Sequence, residues 1–206
     1  AVYITIVCFY KIKRQIKRKN MICPNWQYVL TLDSDLKEAS RFVDIRQENF
    51  ETFSIEFVRL LLAVGSEIDV VAKLLYKKIN PSNSTKNIDD CRKAITTKYS
   101  NFYQLKINIP QSELEFTPWE AWKNEQNPFW LKAYNEVKYQ RDSHFQDANL
   151  KNTLNAIAGL FIMILCLHQE DPEREKFNQP VCFSVEKYNQ DCFGKNITDY
   201  MIPCDS

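Results

Sequence analysis

The chain has 206 residues, 45% of them hydrophobic and 26% charged, with a formal net charge of +1. Those proportions are typical of soluble globular chains and exclude a disordered polar polymer. Three glycines exclude collagen-like and glycine-linker architectures and argue against a phosphate-cradling glycine loop.

Residues 1–10 are nearly all apolar, but too short a run to cross a bilayer. Residues 11–20 carry six bases and no acid, leaving 21 bases against 26 acids in the rest of the chain. A signal peptide has its bases before the apolar run, and here they follow it. The expectation is an apolar and basic extension over 1–20, a helical domain over 21–170, and an irregular, loosely attached tail over 171–206. A second reading makes 1–20 the end of a membrane anchor with its cytoplasmic basic flank.

The first predicted helix spans 31–47, with Asp33, Ser34 and Asp35 as caps and Leu36, Ala39, Phe42 and Val43 on the helical period. A long second helix spans 50–79, with an apolar face of Phe53, Phe57, Leu60, Leu61, Val64, Ile68, Val71, Ala72 and Leu75. Asn80-Pro81 ends it. Asn87 caps a short helix over 88–99. Leu105, Ile107 and Ile109, then Leu114 and Phe116, alternate with polar residues around Pro110-Gln111-Ser112, the pattern of a β-hairpin. Asn127-Pro128 opens a further helix, on which Trp130, Tyr134, Val137 and Arg141 share a face. Asp147 or Asn149 caps a last helix that runs to about His168 and is apolar all round over 160–167. The predicted fold is mainly α, an antiparallel bundle of four or five helices with a small inserted β-hairpin.

Seven cysteines are scattered with no CxxC pair and only two histidines, so a zinc site is not expected. Reduced thiols in a cytoplasmic protein are the better reading. Cys166 reads as a core thiol and His168 as a structural residue near a helix C-terminus. Trp119, Trp122, Phe129 and Trp130 could stack nucleobases, but more simply cover the ends of the bundle.

The densest polar run is Asn135 to His144. Lys138 and Arg141 are three apart and could clamp one phosphate, and His144 could move a proton near neutral pH. Residues 120–151 balance five bases with five acids, which fits an ordinary exposed face instead. Asp69 is spaced to pair with Lys73, and Glu67 to meet Lys138 or Arg141 across the bundle.

Thr117-Pro118-Trp119, Trp122, Asn127-Pro128-Phe129-Trp130, Tyr134-Asn135, Val137-Lys138, Arg141 and Phe145 with Ala148-Asn149-Leu150 form one distinctive series. Asn49-Phe50, Phe53 to Phe57 and Ser66 to Asp69 form another. Together they resemble a group of bacterial proteins in or near the HEPN-like helical-bundle superfamily, over roughly residues 26–168. That superfamily includes metal-independent ribonucleases of toxin–antitoxin and phage-defence systems, and non-catalytic RNA binders. Its ribonucleases carry an arginine followed, four to six residues later, by a histidine; here His144 comes three after Arg141. The resembled group has a histidine where this chain has Tyr139, and a tyrosine, with a pKa of about 10, is a poor general base.

The resemblance implies that His144 is the general acid or base and that Lys138 and Arg141 hold the scissile phosphate. It implies RNA rather than DNA as partner, a homodimer whose motif helices form the cleft, and no metal or other cofactor. The alternative is a non-catalytic interaction module, membrane-proximal if the anchor reading holds. In that case Arg141 and Asn135 would be buried and bonded to Glu67 or to backbone.

Overall fold

The computed structural model describes residues 23–85, 87–171 and 178–185. The extension at 1–20 and the rest of the predicted tail lie outside the described residues. Within them the fold is mainly α, a helical bundle with a small inserted hairpin, as the sequence predicts.

The first helix, α1, spans Pro24–Ala39, earlier than the predicted 31–47. Proline is well placed in the first turn, where its missing N–H has no intrahelical partner to lose. Trp26, Val29, Leu32, Asp33 and Leu36 form its buried stripe. Asp33 is thus inside the helix rather than capping it, and Phe42, at 86% exposure, lies beyond its end.

The long helix α2 spans Ile55–Ile79, starting at Ser54, whose hydroxyl accepts from Phe57 N at 3.1 Å. Its predicted face is buried except for Phe53, which precedes the helix and bridges to Asn149 instead. Helix α3 spans Ile88–Lys98 and is capped by Asn87, as expected.

Strands β1 (Ile107–Ile109) and β2 (Leu114–Phe116) form the predicted antiparallel hairpin, with Ile107 opposite Phe116 and Ile109 opposite Leu114. A third strand, β3 (Ser184–Val185), pairs antiparallel with the other edge of β1. The backbone N–H of Cys182 donates to buried Asp33 at 3.0 Å, Val181 N–H donates to the same carboxylate, and Trp26 Nε1 donates to Asn178 O at 2.9 Å. Residues 178–185 are therefore docked on α1, with Cys182 and Phe183 buried, against the expectation of a loose tail.

Helix α4 spans Phe129–Tyr139, a four-residue helix α5 spans Arg141–His144, and α6 spans Leu150–Leu167. Asn149, not Asp147, caps α6 by accepting from Asn152 N at 2.9 Å. Nearly every residue of α6 is buried. By length and apolarity α6 could cross a membrane, with mean hydropathy 1.7, but its neighbours cover it, as in the core helix of a bundle.

Helix α1 runs antiparallel to α2, since Asn25 near its start meets Glu67 and Asp35 near its end meets Arg59. The central pair α2 and α6 points the same way. Leu150 N and Lys151 N bond Thr52 O and Phe50 O at their starts, and Lys78 Nζ donates to Leu167 O at their ends. Trp119, Trp122 and Trp130 are buried in one aromatic cluster with Phe102. The two fully buried indoles satisfy their N–H groups on backbone: Trp119 on Gly159 O at 3.0 Å and Trp130 on Pro118 O at 2.8 Å. The tryptophans are core, not a base-stacking platform. Phe129 alone of that set is half exposed, with Lys151 Nζ 5.2 Å from its ring centroid.

Candidate functional site

The run from Asn135 to His144 does not form one helix. Helix α4 stops at Tyr139, and Gln140 leaves the helical region at φ −138°, ψ 44°. Trp130, Tyr134 and Val137 anchor α4 in the core, but Arg141 starts the next short helix and is exposed, so it does not share their face. Asn135 is also exposed. Glu67 accepts from Asn25 Nδ2 at 2.8 Å rather than meeting Lys138 or Arg141. Asp69 pairs with Lys73 as its spacing predicts. The arrangement that would bury Arg141 and Asn135 on Glu67 is therefore not formed.

His144 is the organised residue of the run. Its Nδ1 lies 2.7 Å from Asp147 Oδ2 and 3.7 Å from Glu136 Oε2, and the ring is about one-third exposed. Asp147 sits in the 3₁₀ turn Phe145–Asp147, whose last carbonyl accepts from Asn152 Nδ2 of α6 at 2.8 Å. Phe145 packs edge-on against Phe53, which fixes the same turn from the side of α2. The core helix thus sets where the carboxylate stands, and the carboxylate sets the imidazole. Glu136 also lies 3.7 Å from Lys132, one turn back on α4.

A carboxylate next to Nδ1 accepts its proton in the neutral ring and leaves the lone pair on Nε2. No partner for Nε2 occurs among the described residues. Lys138 Nζ lies 5.4 Å from the Tyr134 ring centroid and 5.1 Å from that of Tyr139, which is 72% exposed. Its hydrogen bonds to Tyr134 and Tyr139 push the Lys138 ammonium above its ordinary value, so it stays charged at neutral pH. Arg141 has no ion-pair partner among the described residues. The segment from the end of α4 through α5 therefore carries two cations with no ion-pair partner among the described residues, one exposed phenol ring and one oriented imidazole.

One nitrogen of His144 and one oxygen each of Glu136 and Asp147 lie within 4.8 Å of one another, a spacing that could also hold a cation. Sequence reasoning missed both carboxylates. The His144/Asp147 spacing of three was a usable signal for one of them. Glu136 and His144 are brought together only by the break at Gln140, which no periodicity marks. Concavities open elsewhere on the surface, one between the end of α1 and the hairpin and one between α2 and α3.

No family model, curated protein or solved structure matches the chain.

Proposed function

We propose that the chain binds RNA on the face formed by the end of α4 and by α5, and cleaves it there without a metal. The observation that carries this reading is the 2.7 Å contact between His144 Nδ1 and Asp147, which leaves Nε2 as an acceptor on the same segment of chain as Lys138 and Arg141. An imidazole held in that tautomer by a carboxylate is a competent general base. In RNA the proton to be taken is that of the ribose 2′-hydroxyl, whose oxygen then attacks the adjacent phosphorus. The bond to the 5′-oxygen breaks, and that oxygen needs a proton. DNA lacks the 2′-hydroxyl and is not a substrate for this step. Lys138 and Arg141 neutralise the phosphate whose charge grows during attack. One imidazole handles one proton transfer at a time, so a second copy of the chain facing the first would supply the other. The resemblance to HEPN-like proteins favours the same reading.

The test is cleavage of labelled single-stranded RNA and tRNA by the purified chain in EDTA, comparing the parent with His144→Ala and Asp147→Asn. His144→Ala is expected to lower the rate by about 10²–10⁴-fold, the usual contribution of a general acid or base. Absence of binding and cleavage in the parent, or full activity in His144→Ala, would overturn the reading. Activity that disappears in EDTA and returns with a divalent cation would move the reading to a metal held by Glu136, His144 and Asp147.

A further inference from the structure

The second histidine of the chain also stands between a thiol and a carboxylate. Cys23 occupies the N-cap of α1, and its Sγ lies 3.0 Å from His168 Nε2 and 3.8 Å from Nδ1. His168 caps the C-terminus of α6, and its Nδ1 is 3.5 Å from Asp171 Oδ2, within ion-pair reach. Thiol, imidazole and carboxylate are the groups of a nucleophile, base and orienting residue, and they stand within reach of one another, with Sγ to the side of the Nε2 lone-pair axis so that a turn of the ring is needed to align them. The backbone N–H groups of Asn25 and Trp26, in the first turn of α1, also approach the sulfur. Donors and helix dipole at that position favour a thiolate.

Neighbouring contacts hold both ends of this arrangement. Lys78 of α2 donates to Leu167 O at 3.0 Å and lies 3.5 Å from Glu170, which fixes the turn that carries His168 and Asp171. Asn25 is tied to Glu67 at 2.8 Å, which fixes the start of α1. Cys91, Cys166 and Cys182 are fully buried, whereas Cys23 is partly exposed. Sequence spacing gives no sign of this set, since 145 residues separate Cys23 from His168.

We propose that Cys23, with His168 and Asp171, is a nucleophilic thiol site that exchanges with low-molecular-weight disulfides. Cys23 gives its proton to His168 as its sulfur bonds to one sulfur of the incoming disulfide. The disulfide bond breaks, and its second sulfur leaves with the electron pair and takes the proton from His168. The products are a mixed disulfide on Cys23 and one free thiol, so the incoming disulfide is the oxidant and is half reduced. Burial pushes the Cys23 thiol above its ordinary value, against the pull of the two N–H groups. The resting sulfur is therefore protonated, and the imidazole is needed as a base rather than as the partner of a preformed thiolate.

The test treats the full chain with oxidised glutathione, quenches by acid at intervals, and follows each cysteine by peptide mass mapping. Cys23 is expected to be modified at least tenfold faster than Cys91, Cys166 and Cys182. His168→Gln should slow Cys23 at least tenfold and Asp171→Asn severalfold. The three buried cysteines report on folding within the same experiment, because they become reactive if a variant unfolds. Should His168→Gln unfold, Asp171→Asn decides. Cys23 reacting no faster than the buried thiols would overturn the proposal, as would an unchanged rate in a folded His168→Gln or in Asp171→Asn. Either result would make the Cys23–His168 contact only a clasp between α1 and α6.

Discussion

The ring of Tyr134 on α4 occupies the space in which residue 65 of α2 would carry its Cβ. A Cβ built on Gly65 falls onto Tyr134 Cδ2, Cε2 and Cγ, and the buried ring has no free end to swing aside. That one missing carbon lets α4 approach α2 closely, and α4 carries the candidate site on its last turn. Gly65→Ala would gain about 1 kcal/mol of helix propensity. Overpacking a filled site costs about 1–3 kcal/mol and more where an aromatic ring must move. The expected outcome is a net loss of about 1–2 kcal/mol by urea unfolding. Adding Tyr134→Ala removes the obstacle, so the double variant should lose less than the sum of the single ones. Additive losses would mean that ring and glycine do not compete for the same space.

Asp33 anchors the docked segment 178–185, and its carboxylate is only 2% exposed. Burial raises its pKa, and the N–H groups of Val181 and Cys182 offset part of that rise. As pH climbs from about 4, the unfolded chain releases this proton first. The folded chain holds it until the raised value is passed, so across that window Asp33 makes stability fall as pH rises. Asp33→Asn keeps an acceptor oxygen and removes the titration. The difference in urea midpoint between parent and variant should therefore change with pH just above 4 and level off above the raised pKa. A constant difference across the range would show that Asp33 titrates at its ordinary value.

Asn149 joins three elements. Its side chain accepts from Asn152 N at 2.9 Å, it donates to Glu51 at 3.3 Å, and its backbone bridges to Phe53. Asn149→Ala should cost about 1–2 kcal/mol, the range for losing a helix N-cap. Asn149→Ser keeps the capping oxygen and should recover most of that loss. Equal losses in the two variants would assign the effect to the Glu51 contact instead of the cap.

How much of this was legible in the sequence depends on the range of the forces involved. The face of α2, the Asn87 cap and the hairpin were readable because helical and strand periods and caps are local. The start of α1 was misread because Asp33 looks like a cap, and only its bonds to residues 148 and 149 positions away show that it is a buried anchor. β3 is two residues long, too short for any alternation to announce it. At the site, the sequence reading put Lys138, Arg141 and His144 on one helical run. The helix breaks at Gln140 instead, and the break carries neither glycine nor proline. Glu136 reaches His144 only through that break, whereas Asp147 is its neighbour three residues on.

Arg141 separates the two readings of the polar run. Its side chain is exposed and contributes no ion pair within the described residues, so Arg141→Ala should change stability by no more than about 0.5 kcal/mol. If Arg141 contacts a phosphate, the variant should bind single-stranded RNA more weakly, to a similar degree for different sequences. The slope of log affinity against log salt should become shallower by about 0.7, the value for one phosphate contact on a single strand. Lys138→Ala, whose ammonium lies over two tyrosine rings, should behave alike, and the double variant should lose about twice that slope. Fluorescence anisotropy over a salt series measures all of these. A slope that both substitutions leave unchanged would remove this face from RNA binding. A fall in melting temperature for Arg141→Ala would instead give the residue a structural role in the bundle.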